Sequence, residues 1–343
     1  MNDNTLTPPL RKNAENGVRR VGVEIELGGI AEAQAAKVVQ QVFGGTITEQ
    51  DPFRFNVKTP DMGTFIVELD SQYAHPDKKA PNPTIKQISK ARAYTVGAIS
   101  SAVVPTEIVS PPLPYTELEK FDELIQKLAH EGAKGTEESI LYGFGVHFNP
   151  EVAETSVHYI LNHLRAFLLL QDELYDAHNV DMTRKLLPFI KPFEDDYIQL
   201  VTNPDYHPTL QELIKDYIRY NPTRDRGLDM LPLFAHLQPK LVKSLIDNPL
   251  IKPRPTFHYR LPNTDFINKN YTWYVVGRIW LRQHSSILNL NNYRFVCYIL
   301  RNFCCGVFVN SFVKSSIQHV FEYSKTCCSN GRFNCKIHHI QSV

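Results

Sequence analysis

A chain of 343 residues, 43% of them apolar, is long enough to bury one large core, or one core with an appendage, and this excludes a wholly disordered protein. A formal net charge of +1 provides no basic footprint for DNA or RNA, and no aromatic-and-basic nucleic-acid motif accompanies it, so a polynucleotide partner is not expected. The one membrane-like stretch, 295–313, carries Arg301 and Asn302 in its middle, where hydrocarbon would penalise them, and a membrane partner is not expected either.

In chain order, residues 1–17 are polar and Pro-containing, with no apolar run behind a basic segment. They read as a flexible leader rather than a secretory signal, which implies a cytoplasmic protein. Residues 20–27, Arg-Val-Gly-Val-Glu-Ile-Glu-Leu, alternate apolar and polar, the period of a strand with two different faces. A helix is expected over 31–43, ended by Gly44-Gly45, and then three short strands at 46–48, 53–58 and 64–69 with a turn at 59–63, which together form a meander. A Pro-rich loop at 76–83 precedes a helix at 84–102, and the β-branched run 103–110 reads as a strand buried on both sides. An amphipathic helix over 115–130 places Leu118, Phe121, Leu124, Ile125 and Leu128 on one face and ends near Gly132. A strand at 140–149, a long helix over 151–177 with Pro150 in its first turn, helices at 210–219 and 239–246, and a strand at 256–261 complete the pattern. Mixed elements with hairpin-length connections early on predict an α+β fold on a mostly antiparallel sheet, with helices packed on one side.

The chain changes character after Pro262. All 23 prolines lie at or before that residue, and all six cysteines lie from Cys297 onward. Only Asp265 and Glu322 are acidic in the last 81 residues, against nine Lys and Arg. The expected organisation is therefore a leader at 1–17, a catalytic domain at 18–263 and a basic, Cys-rich tail at 264–343. The tail is either an unusual C-terminal element or the product of a reading frame shifted near Asn270. Its adjacent cysteines lack the C-x-x-C spacing that wraps a zinc ion.

The chemistry lies in a recurrence. Predicted strands repeatedly carry polar, ligand-type residues two positions apart, and such pairs share one sheet face. They are Glu24 with Glu26, Glu68 with Asp70, His147 with Asn149, and His258 with Arg260, while Glu107 stands in Pro-Thr-Glu-Ile-Val-Ser. A single E-x-E is usually just the wet face of an antiparallel sheet, and a single His is usually structural. Repetition over five segments makes the functional case, because so many carboxylates on one face would repel one another unless cations sat among them. Mg²⁺ or Mn²⁺ shared with a nucleotide's phosphates meets that requirement. Arg224 and Arg226, flanking Asp225, offer planar forks suited to a polyphosphate or an anionic substrate.

These segments, Val-Gly-Val-Glu-Ile-Glu, Val-Glu-Leu-Asp, Thr-Glu-Ile-Val-Ser-Pro-Pro-Leu, Gly-Phe-Gly-Val-His-Phe-Asn-Pro and Phe-His-Tyr-Arg-Leu-Pro-Asn, resemble in order the strands of the amidoligase family. That family is similar in fold to glutamine synthetase and glutamate-cysteine ligase. The resemblance runs from about Arg20 to Asn263. It implies that Glu24, Glu26, Asp70 and Glu107 ligate metal, that His147 ligates metal or contacts ATP with help from Asn149, and that Arg260 stabilises the transferring phosphoryl group. His258 stands where the family pattern has glutamate, and would be an imidazole ligand. The implied activity is an ATP- and Mg²⁺-dependent (or Mn²⁺-dependent) ligase joining a carboxylate to an amine through an acyl phosphate. Its substrates would be small molecules or peptides, with an ammonia-supplying amidotransferase as a further partner. The rival readings are an inactive metal- or peptide-binding relative and a metal-dependent hydrolase.

Overall fold

The computed structural model describes residues 8, 10–70, 104–136, 144–178, 180 and 190–267. The expected helix at 84–102, the loop at 76–83 and all of the tail after residue 267 lie outside the described residues.

Alternation at the start of the chain produces β1 (Arg20–Leu27), in which Val21, Val23, Ile25 and Leu27 are buried on one face. Helix α1 (Glu32–Phe43) follows and packs Ala35, Ala36, Val38, Val39 and Phe43 into the core. Two left-handed glycines stop it: Gly44 at φ 73° and Gly45 at φ 99°. At Gly45 a Cβ would lie 2.1 Å from the Lys58 carbonyl oxygen, so only glycine lets the chain turn into the sheet here.

The meander is as expected. β2 (Thr46–Asp51), β3 (Arg54–Lys58) and β4 (Thr64–Leu69) pair antiparallel in sequence order. β5 (Thr106–Val109) is shorter than the β-branched run that predicts it, and it is not buried on both sides: Ile108 is fully buried, whereas Glu107 and Val109 on the other face are only half-buried. After β6 (Leu113–Pro114), the predicted single helix begins as a 3₁₀ turn at Tyr115–Glu117 and becomes α-helical only in α2 (Lys120–His130). Its predicted apolar face is nonetheless the buried one.

The expectation of one long helix from Pro150 is corrected. Pro150 ends β7 (Val146–Pro150), paired with Val21 of β1, and its carbonyl accepts from the Phe257 N–H. The helix begins instead at α3 (Val157–Leu169), where the Ser156 hydroxyl caps the Tyr159 N–H. A break at Leu170 separates it from α4 (Gln171–Ala177).

Four elements escape sequence periodicity: β6, α5 (Asp195–Thr202), β8 (Leu228–Asp229) and α7 (Leu231–Leu237). Helix α7 shows why, since Leu231, Pro232, Leu233, Phe234 and Ala235 are buried in unbroken succession and such a run has no polar stripe to mark its period. Helix α6 (Leu210–Tyr220) is the opposite case, with a Thr209–Glu212 capping box and an apolar stripe of Leu213, Ile214, Tyr217 and Ile218. Helix α8 (Pro239–Leu245) and β9 (His258–Tyr259) close the described order.

Among the described residues nine strands form one sheet in the order β2-β3-β4-β5-β1-β7-β9-β8, with β6 against β1, and every strand pairing among them is antiparallel. The result is a mixed α/β protein built on a large antiparallel sheet. One face, carrying Val23, Ile25, Phe65, Val67, Ile108, Val146, Phe148, Phe257 and Tyr259, packs into the core with α1, α2 and α3. There His163 of α3 stacks on Phe257 at 3.7 Å between ring centres, and Phe167 meets Tyr259 edge-on. Among the described residues no helix is long and apolar enough to cross a membrane.

Candidate functional site

Strand pairing places the first strand of the sequence in the middle of the sheet, between β5 and β7. The face of β1 opposite the core carries Glu24 and Glu26. Glu26 sits directly across from Glu107, and Glu107 in turn across from Glu68 of β4. Three carboxylates thus stand in one row over three adjacent strands, a register that like charges disfavour. Asp70 follows just beyond β4, where its backbone N–H bonds to the Pro105 carbonyl. In the next row Glu24 faces His147, and further along His258 of β9 faces Asp229 of β8.

Side-chain contacts knit the two rows together. Glu24 Oε2 lies 3.0 Å from His147 Nδ1, while Glu24 Oε1 accepts from Asn149 Nδ2 at 3.0 Å and from an Arg254 guanidinium N–H at 2.7 Å. His147 Nε2 is 3.7 Å from Glu26 Oε1, and Glu26 Oε2 accepts the Gly145 N–H at 2.8 Å. Asn149 reaches the other way as well, its Oδ1 accepting from His258 Nδ1. A carboxylate can only accept, so His147 carries a proton on Nδ1; the Asn149 amide oxygen likewise requires one on Nδ1 of His258. When either ring is neutral, Nε2 is its unprotonated nitrogen.

The environment separates the acids. Burial would raise the Glu24 carboxyl, but the His147 hydrogen bond and the charges of His258, His147 and Arg254 outweigh it and hold the group well below the usual carboxylate range. Glu107 goes the other way. Burial first, then the charges of Glu24, Asp70, Glu26 and Glu68, push it well above that range, and among the described residues no cation is paired with it. Asp70 is also raised, by loss of water around the carboxyl and by Glu26, with His147 opposing. Burial drives His258 well below the usual imidazole range, with Glu24 opposing.

Part of the compensating positive charge comes from the chain itself, which sequence reasoning did not foresee. Arg54 of β3 pairs with Glu68, and Arg254 pairs with Glu24. Cross-strand spacing could have revealed the first, since Arg54 and Glu68 are register partners in the predicted hairpin. Nothing in the sequence marks Arg254, which lies in a Pro-flanked loop 230 residues away from its partner.

The two arginines read as one phosphate fork part company. Arg224 Nε pairs with the fully buried Asp229 at 3.2 Å, and its carbonyl accepts from Arg260, so Arg224 and Arg260 stand together beside His258. Arg226 is buried on the core side, its guanidinium 5.4 Å above the Phe193 ring and bonded to the Pro192 carbonyl. Of the ten candidates, Glu24, Glu26, Asp70, Glu107, His147, Asn149, His258, Arg260 and Arg224 gather at one face, and Arg226 is turned away from them.

Fold and side chains together define a class: an α/β protein whose antiparallel sheet presents oxygen and imidazole donors on one face, edged by guanidinium groups. A family model described as "Putative amidoligase enzyme" matches residues 17–281, and the chain belongs to that family. No match is found among the curated proteins or among the solved structures.

Proposed function

We propose that the protein is an ATP-dependent ligase that joins a carboxylate to an amine through an acyl phosphate, with Mg²⁺ or Mn²⁺ held at the acidic row. Family membership supports the ligase class. The observation that carries the finer reading is the row Glu68–Glu107–Glu26, three carboxylates in register with Asp70 beside them and Glu107 lacking any cation partner among the described residues. An oxygen-rich row of this kind fits a hard divalent ion that shares its remaining positions with phosphates. In its site the ion would neutralise the β- and γ-phosphate charge of ATP.

The chain's own residues account for the rest. Arg260 and Arg224 would face the equatorial oxygens of the γ-phosphoryl group as it passes to a substrate carboxylate, leaving ADP. The amine nitrogen then attacks the acyl carbon, the bond to phosphate breaks, and the amine gives up a proton. Glu107, in register between Glu26 and Glu68, would accept it as a carboxylate. Asn149 and Arg254 would fix the Glu24–His147 pair beside this row. The same proposal includes a fold similar to the glutamine synthetase catalytic domain and a cytoplasmic location, as the family resemblance implies.

The test is phosphate release from Mg·ATP across a panel of amino acids and γ-glutamyl acceptors. Turnover should require both an acid and an amine and should vanish in Glu26→Gln. Full activity in that variant would remove the acidic row from the mechanism.

A further inference from the structure

One acid near this face has no place in the chemistry above. Asp229 of β8 is fully enclosed, and its register partner is His258 of β9. Taking a carboxylate out of water is costly unless donors replace the water. Two do so here: Oδ1 accepts the Leu231 N–H at 3.0 Å, and Oδ2 accepts from Nε of Arg224 at 3.2 Å. With both oxygens accepting, the arrangement is that of a carboxylate; burial pushes its pKa up, and the charges of Arg224 and Arg260 oppose that rise. Asp229 is itself out of reach of any ligand, whereas the Arg224 side chain is 25% exposed. Whatever Asp229 does, it does through the arginine.

The consequence lies in which edge of the guanidinium is spent. Among the described residues Arg224 makes its one side-chain hydrogen bond through Nε, which leaves both terminal nitrogens, the pair that meets two oxygens of a phosphate side by side. Arg260 is fastened to the same stretch of chain twice, its backbone N–H on the Gly227 carbonyl at 2.9 Å and its side chain on the Arg224 carbonyl at 3.0 Å. That stretch is pinned again where the Lys191 N–H meets the Asp225 carbonyl. Arg224 cannot leave its place without breaking its bond to a buried acid, and Arg260 is tied to the Arg224 backbone. We infer that Asp229 is a positioning residue that presents Arg224 and Arg260 as a preformed clamp for one phosphate-type polyanion. Use of the clamp on the γ-phosphoryl group rests on the ligase reading; capture of a polyanion does not.

Tripolyphosphate in excess Mg²⁺ is titrated calorimetrically into the full chain, with affinity taken per folded molecule from a parallel circular-dichroism melt. The wild type should bind it. Asp229→Asn keeps the shape but offers one amide oxygen to two donors, and should weaken binding about 10- to 100-fold, the worth of a hydrogen bond between charged groups. Arg224→Met should weaken it at least as much, and adding Asp229→Asn to Arg224→Met should change affinity by less than about twofold, because the acid acts only through the arginine. A merely structural Asp229 would lower the folded fraction and leave the affinity per folded molecule where it was, or its effect would add in full to that of Arg224→Met; either result overturns the clamp, as does a wild type that binds no tripolyphosphate. If the variants do not fold, a crystal of the wild type grown with tripolyphosphate decides. The anion should lie on the terminal nitrogens of Arg224 with Nε still on Asp229, and an anion elsewhere, or Nε released from Asp229, overturns the clamp. Tripolyphosphate binding with the expected pattern but no ATP turnover with any acid and amine would sink the ligase reading alone, whereas ATP turnover indifferent to Asp229→Asn would sink the clamp alone.

Discussion

Replacing Glu107 by Gln should move stability and function in opposite directions. Gln is nearly isosteric, so packing against β1 and β4 is preserved and only the charge is lost. In the metal-free protein that charge is half-buried among Glu24, Glu26, Glu68 and Asp70, and its carboxyl is held well above the usual range by burial and those neighbours. Relief of an uncompensated buried charge is worth on the order of 1–3 kcal/mol, or about 2–4 °C in Tm for each kcal/mol in a domain of this class. The pH dependence follows from the same cause. An acid whose folded pKa is raised binds more protons when folded than when unfolded, so its contribution to stability falls as pH climbs from the unfolded carboxylate value toward the folded one. Urea melts in chelator should show the wild type losing stability through that window, while Glu107→Gln loses less and is the more stable of the two at neutral pH. Added Mg²⁺ should stabilise the wild type and leave the variant unchanged, and the variant should release no phosphate from ATP. A variant less stable than the wild type in chelator, with an unaltered pH slope, would refute the argument that the row is a strained anionic cluster waiting for a cation.

Other substitutions probe the fold around that row. Gly45→Ala forces a side chain into a φ of 99° and onto the Lys58 carbonyl, and should cost roughly 1–3 kcal/mol in chemical denaturation, destabilising the meander that carries Glu68. Thr209→Ala removes the hydroxyl half of the capping box on α6, leaving the backbone N–H at that position bonded to the Glu212 carboxylate, and should cost about 1 kcal/mol, with ATP turnover unaltered. Arg226→Met should lower stability through loss of the Pro192 hydrogen bond and the Phe193 stack, the latter worth about 0.5–2 kcal/mol, without changing the affinity for Mg·ATP measured by calorimetry.

Strand β1 was legible in the sequence because alternation is local: Val21, Val23, Ile25 and Leu27 must share a face, and that puts Glu24 and Glu26 on the other. The same logic identified the meander and the amphipathic helices α2 and α6, whose buried stripes repeat at helical spacing. It failed where an element is buried over five consecutive residues, as α7 is, or only two residues long, as β8 is. It also failed at Pro150, where helix-forming composition downstream was read as a helix start but the residue belongs to the sheet.

By itself the sequence determined which residue types could carry chemistry and which face of each strand they occupy, because side-chain direction depends only on backbone period. It also determined family membership, since the ordered motifs survive without any structure. Tertiary structure alone decided that Glu107 stands between Glu26 and Glu68, that Arg254 covers Glu24, and that Arg226 turns into the core while Arg224 remains beside His258. Register and loop return are set by contacts between segments far apart in the chain, and no local pattern encodes which strand becomes whose neighbour.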